Sequence, residues 1–266
     1  MAILTTSFNG DACPEEIAAQ ITLGVLTGNP FTRSLRLINT EHVAYTTLLA
    51  GPTGMDWVAE GAPLPTIALG DDSYTVVPCK LAGVFDVSAE SFDDSAIDLG
   101  SAFVEALTEA TASVLDGGLL GGSGVAPEPH GAITVATAVT AASLRAGVGA
   151  ATAAIGEEGG TANTVALSPT DYTDEAYREA SGVPVYPNGL TFSGIANIVQ
   201  VPGSNLTAPL VYDSQRMLFI QRGALQVSTD ASVGFKSDTI AVKIKGRFGL
   251  GIPVAAKSIR KITVTP

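Results

Sequence analysis

Apolar and polar positions change period several times along this chain, and each change marks a different element. Residues 14–26 predict a short helix: Pro14 suits the first turn, Glu15 and Glu16 sit where the helix dipole favours acids, and Gly28-Asn29-Pro30 ends it. Residues 31–49 mix apolar and polar positions at strand-like spacing through Leu35, Leu37, Val43 and Tyr45. Residues 50–80 then lose any helical period. A connection this long is usually functional or disordered. Trp57, Val58, Ile67, Leu69, Tyr74, Val76 and Val77 are too apolar for disorder. From Ser73 onward an imperfect alternation predicts one arm of a long two-stranded excursion. A lone hairpin is marginal in water, so this one needs a partner, and the natural partner is another copy of the chain.

Residues 82–87 predict the strand that returns from the excursion. The clearest helix is 98–115, where Leu99, Phe103, Ala106, Ala110 and Val114 recur at 3.6-residue spacing. Ser95-Ala96-Ile97-Asp98 fits a capping pattern, and Gly117-Gly118 predicts the stop. The GGLLGGSG run at 117–124 reads as a flexible interdomain hinge, and the Gly- and Pro-dense run at 121–131 as a domain boundary. Residues 132–228 form a second compact region, with an Ala-rich helix at 140–155, a short buried strand at 165–167 and a helix starting at Ser168-Pro169. A turn region at 182–189 and strands at 195–201, 210–212 and 217–220 follow. The last segment, 224–264, is rich in strand and in β-branched residues. No repeat of fixed period is visible.

Composition changes this picture in one respect. Hydrophobic residues make up 46% and mean hydropathy is +0.33, while only 15% of residues are charged. A typical soluble domain carries about 25% charged residues, so much of this surface is expected to be buried against other subunits. No run of apolar residues is long enough for a membrane-spanning helix. The net charge is −12 and is unevenly placed. Residues 81–144 hold nine acids and no Lys or Arg, whereas 229–266 hold seven of the fourteen basic residues and two acids. This segregation predicts pairing between an acidic middle and a basic C-terminal part, within or between subunits.

Candidate chemistry is sparse. The GGLLGGSG run at 117–124 follows a helix and lacks the Lys of a phosphate loop. His42 and His130 are the only histidines, and His130 sits in a turn-like Pro-Glu-Pro-His-Gly. Asp71-Asp72 and Asp93-Asp94 lack the ligand spacing of a calcium loop. Cys13 and Cys79 are too few for a disulfide framework or a zinc site. No catalytic, cofactor or metal residue is expected, and the chain reads as a non-enzyme.

The order of parts is informative where single motifs are loose. An excursion carries Trp-Val-Ala-Glu-Gly at 57–61; a strand covers 80–87; an acidic link runs from Glu90 to Asp98. A helix then ends in Val-Leu-Asp-Gly-Gly-Leu-Leu-Gly-Gly-Ser-Gly at 114–124, before Pro129-His130-Gly131-Ala132-Ile133. Later come Val165-Ala166-Leu167-Ser168-Pro169, Tyr186-Pro187-Asn188-Gly189, Leu206 to Asp213, and Gly223-Ala224-Leu225-Gln226-Val227 through Phe235, Arg247 and Pro253. Over nearly its whole length the chain resembles the major capsid proteins of tailed bacteriophages with the Hong Kong 97-like fold.

That resemblance implies an α+β fold with an N-arm and following strands (1–49), an extended β-hairpin loop (50–80) and a peripheral domain with a long spine helix (81–131). An axial domain (132–228) and the C-terminal strands of the peripheral domain (229–266) complete it. It implies pentamers and hexamers closing into an icosahedral virion shell around double-stranded DNA, assembled in the host bacterial cytoplasm. The implied partners are further copies of the chain, a portal protein, a separate scaffolding or decoration protein, and DNA held without sequence-specific contacts; no membrane is implied. The candidate assembly contacts are Trp57, Glu60, Asp71, Asp72, Tyr74, Lys243, Lys245 and Arg247, with Trp57 anchoring the loop on a neighbour. Met1 precedes the N-arm almost directly, so no cleaved scaffolding segment is expected. Lys80, the only Lys before residue 236, lies at the base of the loop, so no Lys–Asn crosslink is expected either. Encapsulins, bacterial nanocompartments of the same fold, offer the alternative of a shell around a cargo enzyme. A tail or decoration protein, forming tubes or trimers, is the further alternative.

Overall fold

A computed structural model describes residues 28–49, 52–53, 55–66, 68–69, 72–88, 99–234 and 237–265. The helix expected at 14–26, Asp71 and the capping residues 95–98 lie outside the described residues. In chain order the first elements are α1 (Pro30–Ser34), β1 (Arg36–Thr40), β2 (Tyr45–Leu48), β3 (Pro52–Thr53), β4 (Ala68–Leu69), β5 (Ser73–Val76) and β6 (Cys79–Ser88). Then come α2 (Leu99–Gly121), α3 (Ala132–Val135), β7 (Thr137–Ala141), α4 (Leu144–Glu157), β8 (Thr164–Leu167) and α5 (Pro169–Ala176). The remainder is β9 (Glu179–Ala180), β10 (Val183–Pro184), β11 (Asn197–Gln200), β12 (Leu210–Tyr212), β13 (Leu218–Arg222), β14 (Gln226–Gly234), β15 (Thr239–Gly251), α6 (Ala255–Ser258) and β16 (Ile259–Val264).

Two sheets organise these elements. The first is built on β15, which pairs antiparallel with β6 along one edge and with β14 and β13 along the other; β1 adds to β13 in parallel. The second has the order β11-β8-β12-β16-β7. The two sheets share one core. Val242, Ile244, Phe248 and Leu250 of the first sheet join Ala166, Leu210, Tyr212 and Ile259 of the second, around Leu115, Leu119 and Leu120 of α2. The other face of the second sheet buries Val165, Leu167, Val211 and Ile262 under Leu144, Val148, Ala151 and Ile155 of α4. Alternate residues of one strand therefore serve two cores, which is why β8 is buried at every position. The small residues of α4 allow a close approach: a Cβ on Gly147 would lie 2.4 Å from the Ile262 side chain.

Local chemistry sets the ends. Ser143 accepts from the Ala146 amide to start α4. Ser168 accepts from the Asp171 amide at 3.0 Å, and its hydroxyl donates to the Asp171 carboxylate at 2.7 Å, with Pro169 in the first turn of α5.

Three sequence expectations are corrected. The long helix does not stop at Gly117-Gly118; it runs to Gly121, because Leu119 and Leu120 are completely buried and their contacts outweigh the low helix propensity of glycine. The run at 117–124 is not a flexible hinge: its first half continues the helix and its second half is bonded to 128–131. The Gly124 amide donates to the Pro129 carbonyl, the Gly131 amide to the Gly122 carbonyl, and the Ser123 amide to the Glu128 carboxylate. A Cβ on Gly124, where φ is +76°, would collide with the His130 ring. Strand pairing also crosses the expected domain limits in both directions. β13, expected with 132–228, belongs to the β15 sheet, and β16, expected with the C-terminal part, pairs with β12 and β7.

Candidate assembly surfaces

The excursion is a ribbon. β2 and β5 pair antiparallel from Tyr45↔Val76 to Leu48↔Ser73, and β3 and β4 continue it at Pro52↔Leu69 and Thr53↔Ala68. Its base is fastened to its own chain. Tyr74 Oη accepts from the Ile252 amide at 3.2 Å. Val76 fits against Gly249 and Gly251 of β15, where added Cβ atoms would lie 3.2 and 3.5 Å from its methyls. The Thr46 and Thr75 hydroxyls meet across the ribbon at 3.0 Å.

The tip is bare. Trp57 is 100% exposed, with Met55 and Leu64 also exposed beside it. The Trp57 amide donates to the Asp56 carboxylate at 2.8 Å, and the Ala62 amide to the Ala59 carbonyl, with Gly61 at φ +78°. These bonds shape a turn that presents Trp57 instead of covering it. Glu60 lies in the same exposed turn. Asp72 is exposed too, but partway along the ribbon, just past the Leu48↔Ser73 pair, where its carbonyl accepts from the Leu49 amide. Of the sequence-derived candidates, the structure therefore places Trp57 and Glu60 together at the tip and Tyr74 against its own body.

Lys243, Lys245 and Arg247 alternate on β15 with buried Val242, Ile244 and Phe248, and all three point to solvent. Lys245 and Arg247 line a concave surface of about 360 Å³ together with Lys80, Arg222 and Glu41. Lys243 stands outside it, closer to Asp230. The Asp230 carboxyl is held below its usual range chiefly by Ser232, and more weakly by Lys243. Lys80 lies directly across from Arg247 in the β6–β15 register, and facing like charges repel. Lys80, Arg222 and Glu41 were not legible as members of a site, since only the β6–β15, β13–β15 and β1–β13 pairings bring them near Arg247. Among the described residues the ion pairs are Arg178–Glu175 and Arg216–Asp213, so these four cations are not paired with carboxylates. The expected pairing of 81–144 with 229–266 is accordingly not seen among the described residues of one chain. Among those residues no cluster of metal-ligating side chains occurs, and no helix is long and apolar enough to cross a membrane.

A model of the phage capsid family matches residues 9–264. No curated protein sequence matches the chain. A solved structure from Mycobacterium phage Adephagia superposes with a TM-score of 0.74 at 18% identity, covering 90% of this chain and 91% of that one. The capsid of an empty GTA particle superposes with a TM-score of 0.71 at 16% identity, covering 90% and 91%. A virus-like particle from Pyrococcus furiosus does so at 0.62 and 11% identity, covering 94% and 98%. The mixed α+β architecture is thus the Hong Kong 97-like one.

Proposed function

The chain belongs to the phage capsid family, and from that premise we propose that its copies close as pentamers and hexamers into the icosahedral head of a tailed bacteriophage around double-stranded DNA. The observation that carries this reading is a ribbon anchored at its base and bare at its tip. We also infer that the tip of one copy lies on the β15 sheet of the next, bringing Trp57, Asp56 and Glu60 to the surface bearing Lys80, Arg222, Lys245 and Arg247. Ribbon length supports a contact between copies. Two paired stretches, Tyr45–Leu48 with Ser73–Val76 and Pro52–Thr53 with Ala68–Leu69, stand between the tip and the base, and Glu41 and Lys80 of the concave surface lie four residues from the base in sequence. A tip carboxylate therefore stands well away from its own chain's cations.

The magnitudes rank the two kinds of contact. Burying most of an indole removes about 150–200 Å² from water, on the order of 4 kcal/mol. Each exposed ion pair contributes only about 0.2–1 kcal/mol and is screened by salt. Trp57 supplies adhesion and the charges supply register.

The test is negative-stain electron microscopy of the chain expressed alone. Closed polyhedral shells, or rings of five and six, support the reading. Shell formation only after other head proteins are added supports it with a scaffolding requirement, while tubes or trimers under every condition overturn it.

A further inference from the structure

One buried carboxylate has no part in assembly as proposed above. Asp116 lies on the inner face of α2, only 2% exposed, and its Oδ1 has no hydrogen-bond partner. It lines a cavity of about 780 Å³ where α2 meets the Gly28–Pro30 segment and the loop carrying Gln200, Pro202 and Asn205. Two of the side-chain amides that line it are committed elsewhere: Asn29 Nδ2 donates to the Ala112 carbonyl at 2.9 Å, and Asn205 Nδ2 to the Ser113 carbonyl at 3.1 Å. The Tyr212 hydroxyl, close enough to feel the charge of Asp116, is engaged with Ser34 Oγ at 2.6 Å. Among the described residues, the titratable groups around the carboxyl are Glu105 and Glu109 on its own helix and Tyr212 from β12; the segments at 28–30 and 200–205 contribute none. No Lys, Arg or His is among the described residues that line the cavity.

We propose that Asp116 is a proton-binding site that latches α2 to the α1 segment and β12: protonated, it closes the seam; ionised, it opens the seam to water or a cation. A buried carboxylate with one oxygen unpartnered and no adjacent counter-charge carries a large desolvation cost, and taking up a proton removes it. The same seam holds Phe31, which is completely buried and stacks edge-on against Tyr212 at 5.8 Å. Loosening it frees the point at which the N-terminal segment joins the body.

The direction of the pH effect follows. Burial pushes the Asp116 carboxyl from 3.8 up to about 7. Between those values the folded chain keeps a proton that the unfolded chain has lost, so this group's contribution to stability falls as pH rises through that window and is level above it. Two measurements on the full chain test this. The first is the melting temperature of wild type and Asp116→Asn between pH 5 and 8.5. Wild type should lose several degrees more than the variant, because the amide cannot ionise; equal slopes overturn the proposal. The second is a wild-type-minus-Asp116→Asn infrared difference spectrum. A protonated carboxyl band at pH 6 that vanishes by pH 8.5 supports the site, and a carboxylate signal already present at pH 6 overturns it. Both readouts stand whether or not shells form, so they are separate from the test of the proposed function.

Discussion

The α4 layer and the ribbon answer the same problem in opposite ways. Both bring apolar groups into a chain with few charges. The second sheet covers its side chains on both faces, with α4 on one side and the α2 core on the other, and β8 is buried throughout. The ribbon secures only its base and leaves Trp57 fully exposed. One region is finished by its own chain; the other is left open by its own chain and, in the proposed shell, is finished by a neighbour. Stability and assembly should therefore be separable by mutation.

The sharpest separation comes from two truncations. Leu167→Ala removes a completely buried side chain between α4 and β8, and should cost about 3 kcal/mol in denaturant unfolding, with loss of shells as a consequence. Trp57→Ala should leave the unfolding curve of the free chain unchanged while abolishing shells, read by sedimentation and microscopy. A fall in stability matching that of Leu167→Ala would show that Trp57 serves its own chain and would erase the contrast. Arg247→Glu should reduce shell yield by about tenfold, consistent with roughly 1 kcal/mol at each of one or two contacts. Combining it with Asp56→Lys and Glu60→Lys should restore part of the yield, and the wild-type yield should fall as salt rises. The smallest effect belongs to Ser168→Ala, which removes the α5 cap and should cost about 1 kcal/mol of stability with assembly intact.

The contrast was only partly legible in the sequence. Period and turn residues announced the ribbon, the long helix and the short strands, because those signals are local. The continuation of α2 through Gly117-Gly118 depends on what Leu119 and Leu120 meet, and those partners lie far along the chain. The parallel pairings of β1 with β13 and of β16 with β7 leave no local mark either. Charge counting found the basic C-terminal part, but only the β6–β15 register joins Lys80 to Arg247. Asp116 looked like one acid among nine on an acidic stretch; its burial is a property of the fold.

The seat of Val76 on Gly249 and Gly251 acts as the pivot of a lever. On an arm several strand residues long, at about 3.3 Å each, a small tilt at the pivot is amplified at the far end. Two missing methyl groups in β15 thus set the seat from which the whole arm is aimed. In the proposed shell, the angle between adjacent copies would then trace back to a pair of glycines far from the tip.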